Sequence, residues 1–239
     1  MSPTLLLVGH GSRDPRFGDT ARRVRRAVAD RLPDVDVRLS YLDLDEPSVG
    51  EALAGMPGET VVVPLLLAPG YHSEIDLPAI VAAHARNPVR CTDVVGQRNL
   101  TAALADRLVE AGLAEGDGII VTAVGSTNPA ADTVIRRRAI ELSTLLHRPV
   151  EVVYATRLGT GNINLRTAIR RLHNAGADRI AVSPYFLSAG LLTERVEDAL
   201  DTLAPGSLVA GPIGTHTALI DAVVESYRRA GHFAASPVR

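Results

Sequence analysis

Two histidines, His10 and His72, stand inside an internal repeat whose second copy keeps their surroundings and loses both of them. LLLVGHGSRDP from Leu5 aligns with IIVTAVGSTNP from Ile119 at an offset of 114, so Gly11 matches Gly125, Ser12 matches Ser126 and Pro15 matches Pro129, while His10 faces Val124. VVVPLLLAPGYHSEID from Val61 aligns with AVSPYFLSAGLLTERV from Ala181 at an offset of 120, through Pro64 and Pro184, Gly70 and Gly190, and Glu74 and Glu194, while His72 faces Leu192. Neutral imidazole is a good ligand for divalent iron, cobalt, nickel or zinc. With an ordinary pKa near ~6.5 it also serves as a base at cellular pH. Asp43, Glu46, Glu74 and Asp76 add carboxylates on nearby loops. Two histidines leave coordination positions open, which suits an ion that is held and handed on. Taken alone, His10 reads as a loop residue bonded to backbone and His72 as a helix-entry residue. Their joint loss from the second copy points to one working site in the first half, with the second half as scaffold.

The remaining residues of these segments have structural readings beside the chemical ones. The backbone N–H groups of Gly9, Gly11 and Ser12, at a strand-to-helix turn, suit an anion, and Arg13 adds a charge-assisted contact. Helix capping by Ser12 or Asp14 ahead of Pro15 accounts for the same residues. Asp76-Leu77-Pro78 reads as the cap and first turn of a helix, giving Asp76 a structural role. Ser12 beside His10 suggests a hydrolase nucleophile, but GHGSR does not match the G-x-S-x-G elbow. No GxxxxGK[ST] loop is present, and Gly159-Thr160-Gly161-Asn162-Ile163-Asn164 lacks the third glycine of a dinucleotide fingerprint. His84, His147, His173 and His232 read as surface residues on or near helices, and His216 opens the last helix.

Short apolar runs alternate with longer amphipathic stretches, the pattern of repeated βα units around parallel sheets. Strands are expected at Thr4–Gly9, Val35–Leu42, Thr60–Leu67 and Val89–Val95, with helices near Gly18–Leu32, Pro47–Ala54, Pro78–Arg86 and Asn99–Ala111. The second half repeats the count, with strands near Gly118–Val124, Val150–Ala155, Arg179–Phe186 and Ser207–Ala210 and helices near Ala130–Leu146, Asn162–Ala175, Leu191–Leu203 and Thr217–Ala230. The expected fold is α/β in two similar domains, residues 1–113 and 114–239, each a roughly four-stranded parallel sheet flanked by helices and joined at LAEGDG. Ligands of such sheets bind beyond the carboxyl ends of the strands. His10 follows the first strand and His72 the third, so both occupy that edge of the first domain.

At 239 residues and 46% hydrophobic, the chain buries a full core. A net charge of −2 without a long basic run argues against nucleic acid; Arg22, Arg23, Arg25 and Arg26 alternate with apolar residues at helical spacing and read as a solvated face. A single cysteine, Cys91, excludes an internal disulfide and a cysteine-held cluster within one chain. The chain opens on a strand-like run without a leader pattern and has no stretch near the ~20 apolar residues of a membrane helix. It reads as a cytoplasmic, soluble protein with no membrane partner, and the tail after Gly231 reads as loose.

GHGSRDP at Gly9–Pro15, Asp43 with LDEPS at Leu44–Ser48, and LAPGYHSEIDLP at Leu67–Pro78 together resemble the ATP-independent tetrapyrrole chelatases, in particular the sirohydrochlorin ferrochelatases and cobaltochelatases. The resemblance spans nearly the whole chain. It implies that His10 and His72 bind the metal, that His10 with Glu46 removes the pyrrolic protons, and that Glu46 and the backbone of Leu67, Ala68, Pro69, Gly70 and Tyr71 contact the macrocycle, with Ser12 and Arg13 as weaker candidates for its carboxylates. Asp43 stands where the family often has Glu, and Pro69 where a polar residue or His is frequent. The implied partners are sirohydrochlorin and a divalent ion, Fe²⁺ or Co²⁺, as substrates, with no permanently bound cofactor. A monomer carrying an internal pseudo-dimer is expected. A non-catalytic metal or tetrapyrrole carrier is the alternative of another class.

Overall fold

The computed structural model describes residues 2–232, so the sequence-based reading of the tail falls outside the described residues from residue 233 onward. In chain order the elements are β1 (Thr4–Gly9), α1 (Pro15–Arg31), β2 (Val37–Tyr41), α2 (Val49–Ala54), β3 (Thr60–Pro64), α3 (Leu77–His84), β4 (Val89–Cys91), α4 (Thr101–Ala111), β5 (Asp117–Ala123), α5 (Pro129–Leu146), β6 (Val150–Tyr154), α6 (Ile163–Asn174), β7 (Arg179–Pro184), α7 (Leu191–Leu203), β8 (Leu208–Val209) and α8 (Thr217–His232). They form two four-stranded sheets, ordered β2-β1-β3-β4 and β6-β5-β7-β8, with every pairing parallel. The α/β class and the four-stranded parallel sheets are as the alternation of runs required.

The central strands explain the sheets. Every residue of β1, β3 and β5 is buried. Runs such as LLLV cannot lie at a half-wetted sheet surface, and helices on both faces make such strands parallel and central. Burying each of Leu5, Leu6, Leu7 and Val8 contributes roughly 1.5–3 kcal/mol. β3 ends earlier than its apolar run, at Pro64 instead of Leu67. Leu65 N–H still donates to the Val8 carbonyl at 2.8 Å, and the chain then passes over Gly96, where Leu66 O accepts from Gly96 N–H at 3.0 Å.

The compact units and the sequence halves divide the chain differently. Among the described residues, one unit comprises residues 2–98 with 215–232, and the other Asn99–Gly214. The last helix of each half is thus exchanged. In the first unit α8 packs on β3 and α1. It is tied there by Arg31–Asp221 at 2.7 Å, by Arg98 Nε to Ser226 Oγ at 3.2 Å, and by Tyr227 OH to Pro3 O at 2.7 Å. In the second unit α4 packs on α5 and β7. Its first residue, Thr101, donates to Glu141 Oε2 at 2.6 Å. Glu141 also pairs with Arg138, a fully buried arginine that donates to Asn99 Oδ1 at 3.1 Å. Burial pushes the nearby Tyr185 phenol up to about 12 against the opposing pull of Arg138. Among the described residues no helix is long and apolar enough to cross a membrane.

Candidate active site

The order β2-β1-β3-β4 fixes where a ligand belongs. The chain moves from β1 to β2 in one direction across the sheet and from β3 to β4 in the other, so the loops leaving β1 and β3 diverge and open a crevice at the carboxyl edge. His10 is the first residue after β1, and His72 opens the helical turn after β3. The structure brings the two rings together. Their centroids lie 4.6 Å apart with an interplanar angle of 87°. An ion at a metal–imidazole bond length of ~2.0–2.1 Å sits roughly 3.2 Å from each ring centroid, so one ion reaches two rings whose centroids are up to about 6.4 Å apart. The observed separation meets that condition.

Each ring is oriented through its other nitrogen. His72 Nδ1 lies 2.7 Å from Asp76 Oδ2, and His10 Nδ1 lies 3.1 Å from the Gly11 carbonyl. A carboxylate and a carbonyl only accept, so in the neutral rings both contacts place the hydrogen on Nδ1 and leave the Nε2 lone pair free. His72 and Asp76 share a single wide helical turn, in which Leu77 N–H donates to the His72 carbonyl five residues back before α3 continues. Turns of this kind occur often at functional sites. The Asp76 side chain makes no helix cap, which corrects the sequence reading of that residue as a cap. Its carboxylate is directed to His72. The His72–Asp76 spacing of four on one helical face is the signal that identifies the pair.

The turn carrying His10 is held from the β2 side. Asp43 N–H donates to the His10 carbonyl at 3.0 Å, and Ser12 N–H donates to Asp45 Oδ2 at 2.9 Å. Gly11 has φ +91°, and a Cβ there would lie 1.6 Å from the Asp43 carbonyl oxygen. Glycine is therefore required by both conformation and space. Asp14 is the N-cap of α1, accepting from Arg16 N–H at 3.0 Å, while Ser12 Oγ accepts from Asp14 N–H at 3.0 Å. The Ser12 amide already holds the Asp45 carboxylate, so it offers no donor to a ligand carboxylate. That leaves Ser12 its hydroxyl for such a contact, and Asp45 is the residue that sequence reasoning missed. Arg13 is exposed.

The other expected site residues lie on the same edge. Glu46 is exposed on the loop after β2, the loop that supplies Asp43 and Asp45 to the histidine turn. Leu67, Ala68 and Gly70 are half-buried, Pro69 is buried and Tyr71 is 67% exposed. Ser73 fixes this strip, since its Oγ accepts from Gly70 N–H at 2.9 Å and donates to Gly70 O at 3.0 Å. Gly96 passes beneath, where a Cβ would lie 1.8 Å from Leu67 O. Leu44, on the loop after β2, and Ile75, in the turn that carries His72, are exposed apolar side chains at 50% and 53%. Among the described residues no group of three or more His, Cys, Asp or Glu side chains gathers at metal-binding distances. The pair is therefore an open two-imidazole arrangement, able to hold an ion by part of its coordination sphere and to accept protons.

The chain matches the CbiX family model twice, over residues 4–111 and 118–230. It belongs to the CbiX family. This is a family of sirohydrochlorin chelatases, lyases that insert a metal into a tetrapyrrole. Two curated CbiX relatives are similar over most of the chain. The sirohydrochlorin cobaltochelatase of Priestia megaterium is 26% identical over 215 residues, covering 82% of this chain and 67% of that protein. The sirohydrochlorin ferrochelatase of Bacillus subtilis is 26% identical over 243 residues, covering 95% and 92%. The solved structure of SirB from Bacillus subtilis with Fe³⁺ has the same fold, with a TM-score of 0.79 at 21% identity over 98% of this chain and 97% of that one.

Proposed function

We propose that this CbiX chain is a sirohydrochlorin ferrochelatase that inserts Fe²⁺ into sirohydrochlorin without ATP. The observation that carries the reading is the meeting of two imidazoles, 62 positions apart in sequence, at the switch point of the first sheet. The positions equivalent to them in the second half hold Val124 and Leu192. Insertion exchanges the water ligands of the ion for four ring nitrogens and releases two pyrrolic protons. His72, oriented by Asp76, holds the ion through Nε2. His10, oriented by the Gly11 carbonyl, shares the ion through Nε2, and once the ion passes to the ring nitrogens the freed Nε2 takes a pyrrolic proton, which the half-exposed ring passes to water. Glu46 assists with the second proton. The strip Leu67–Tyr71, with Leu44 and Ile75, meets the apolar face of the macrocycle. The balance is Fe²⁺ and the free-base macrocycle in, the iron macrocycle and two protons out, so no redox partner is needed. Binding both reactants against one surface supplies the orientation that a bimolecular encounter in water lacks.

Iron is favoured because the alignment with the Bacillus ferrochelatase runs nearly end to end in both proteins. Cobalt is the second reading, supported by the equal identity to the Priestia cobaltochelatase, and imidazole accepts both ions. Initial rates of anaerobic insertion at matched free Fe²⁺ and Co²⁺, followed by the absorption of the macrocycle, separate the two. A higher kcat/KM with Fe²⁺ is expected. A higher value with Co²⁺ establishes the second reading, and stoichiometric binding without turnover for either ion refutes both.

A further inference from the structure

We propose that the second unit carries a carboxylate-binding site at the turn that repeats the histidine turn. The two turns have one geometry. Gly125 has φ +93° where Gly11 has +91°. Asn128 N–H donates to Ser126 Oγ at 3.0 Å as Asp14 N–H does to Ser12 Oγ, and Asn128 caps α5 as Asp14 caps α1. Thr156 N–H donates to Val124 O at 3.1 Å where Asp43 N–H donates to His10 O at 3.0 Å. The first unit shows what this turn binds: Ser12 N–H holds a carboxylate oxygen of Asp45.

The second unit lacks that internal carboxylate. Gly9 pairs in register with Tyr41, and Ala123 with Tyr154, so Leu158 falls where Asp45 stands and Arg157 where Leu44 stands. Leu158 is buried in the apolar core of this unit. Among the described residues nothing accepts from Ser126 N–H. Beside it lies a depression of about 430 Å³ lined by Ser126, Thr127, Asp132, Arg136 and Arg157. Arg157 is held over the Tyr154 ring at 5.1 Å and lies 3.6 Å from Asp132. Arg136 is exposed and has no ion pair among the described residues. Two guanidinium groups against one carboxylate leave the depression positive, and the N-terminal end of the 18-residue helix α5 adds to that field. An external carboxylate fills the position that Asp45 fills in the first unit, with a planar guanidinium to pair it. The carboxylate comes either from the periphery of the macrocycle or from a free small polycarboxylate; the first source rests on the chelatase reading and the second does not.

The test uses the full chain without metal, so that no turnover result enters it. Tricarballylate, inorganic phosphate and sirohydrochlorin are titrated separately by calorimetry, with the Ser126 amide followed by nitrogen-15 NMR, for the native chain, Arg136→Gln and Arg136→Gln/Arg157→Gln. Tricarballylate is expected to shift the Ser126 amide and to lose at least tenfold in affinity in the double variant. A parallel loss for sirohydrochlorin identifies the macrocycle as the source, and an unchanged sirohydrochlorin affinity identifies a free carboxylate. Arg136→Gln, at an exposed residue without an ion pair, keeps the test valid if the double variant unfolds, with a loss of several-fold expected. Unchanged tricarballylate binding in both variants, or tighter binding of phosphate than of tricarballylate, overturns the proposal.

Discussion

Replacing Asp76 by alanine removes the acceptor that orients His72 while leaving both imidazoles in place. The contact is short, 2.7 Å between Nδ1 and Oδ2, but the two side chains are 46% and 33% exposed. Loss of an outer partner of a metal-binding histidine typically costs 10–100-fold in metal affinity. Water takes over as acceptor at an exposed pair, which puts the expected loss at the lower end, about tenfold or about 1.4 kcal/mol. Asp76→Asn retains a neutral oxygen that still accepts from Nδ1–H, and about threefold is expected from the weaker neutral contact. Affinity is measured by competition of the full chain with a chelator for Co²⁺. In steady-state insertion the KM for metal rises more than kcat falls, because the ring remains available but is less well aimed. An Asp76→Ala affinity within twofold of the native chain, or an Asn variant weaker than the Ala variant, refutes the argument.

Three further outcomes follow from the packing and the charges. Gly11→Ala forces a Cβ against the Asp43 carbonyl at a positive φ, and a loss of more than about 2 kcal/mol in denaturant unfolding is expected, with insertion impaired. Arg138→Ala removes a buried cation shared by Asn99, Thr101 and Glu141, and a loss of about 3 kcal/mol is expected in the thermal or denaturant transition of the second unit. Arg179, donating to both carboxylate oxygens of buried Asp117 at 2.7 Å, holds that carboxyl below the usual range. Its contribution is therefore present above the ordinary carboxylate pKa and is lost as pH falls through the lowered folded value. The stability gap between the native chain and Asp117→Asn closes on acidification from pH 7 toward pH 2, and a gap independent of pH contradicts the assignment.

The histidine pair was legible because the repeat supplied its own control, a second copy in which Val124 and Leu192 replace both rings. The strands were legible because LLLV and VVV runs have one stable place in a layered α/β unit. Asp76 was misread for a physical reason: an aspartate two positions before a proline is an ordinary helix cap, and only the wide turn at His72–Asp76 shows its carboxylate on the ring. Asp45 acts 33 residues away from the amide it holds, through a loop closure that carries no sequence period. The exchange of α4 and α8 was hidden for a similar reason. Both helices are amphipathic and end equivalent halves, and contacts such as Thr101 to Glu141 and Tyr227 to Pro3 decide which sheet each one covers.

The pairing of the two imidazoles on a single ion is tested most directly by X-ray absorption spectroscopy of the metal-loaded full chain, compared with His10→Ala, His72→Ala and the double variant. Two imidazole scatterers at one metal are expected in the native chain, one in each single variant and none in the double. The same count of imidazole ligands in the native chain and both single variants contradicts a shared site.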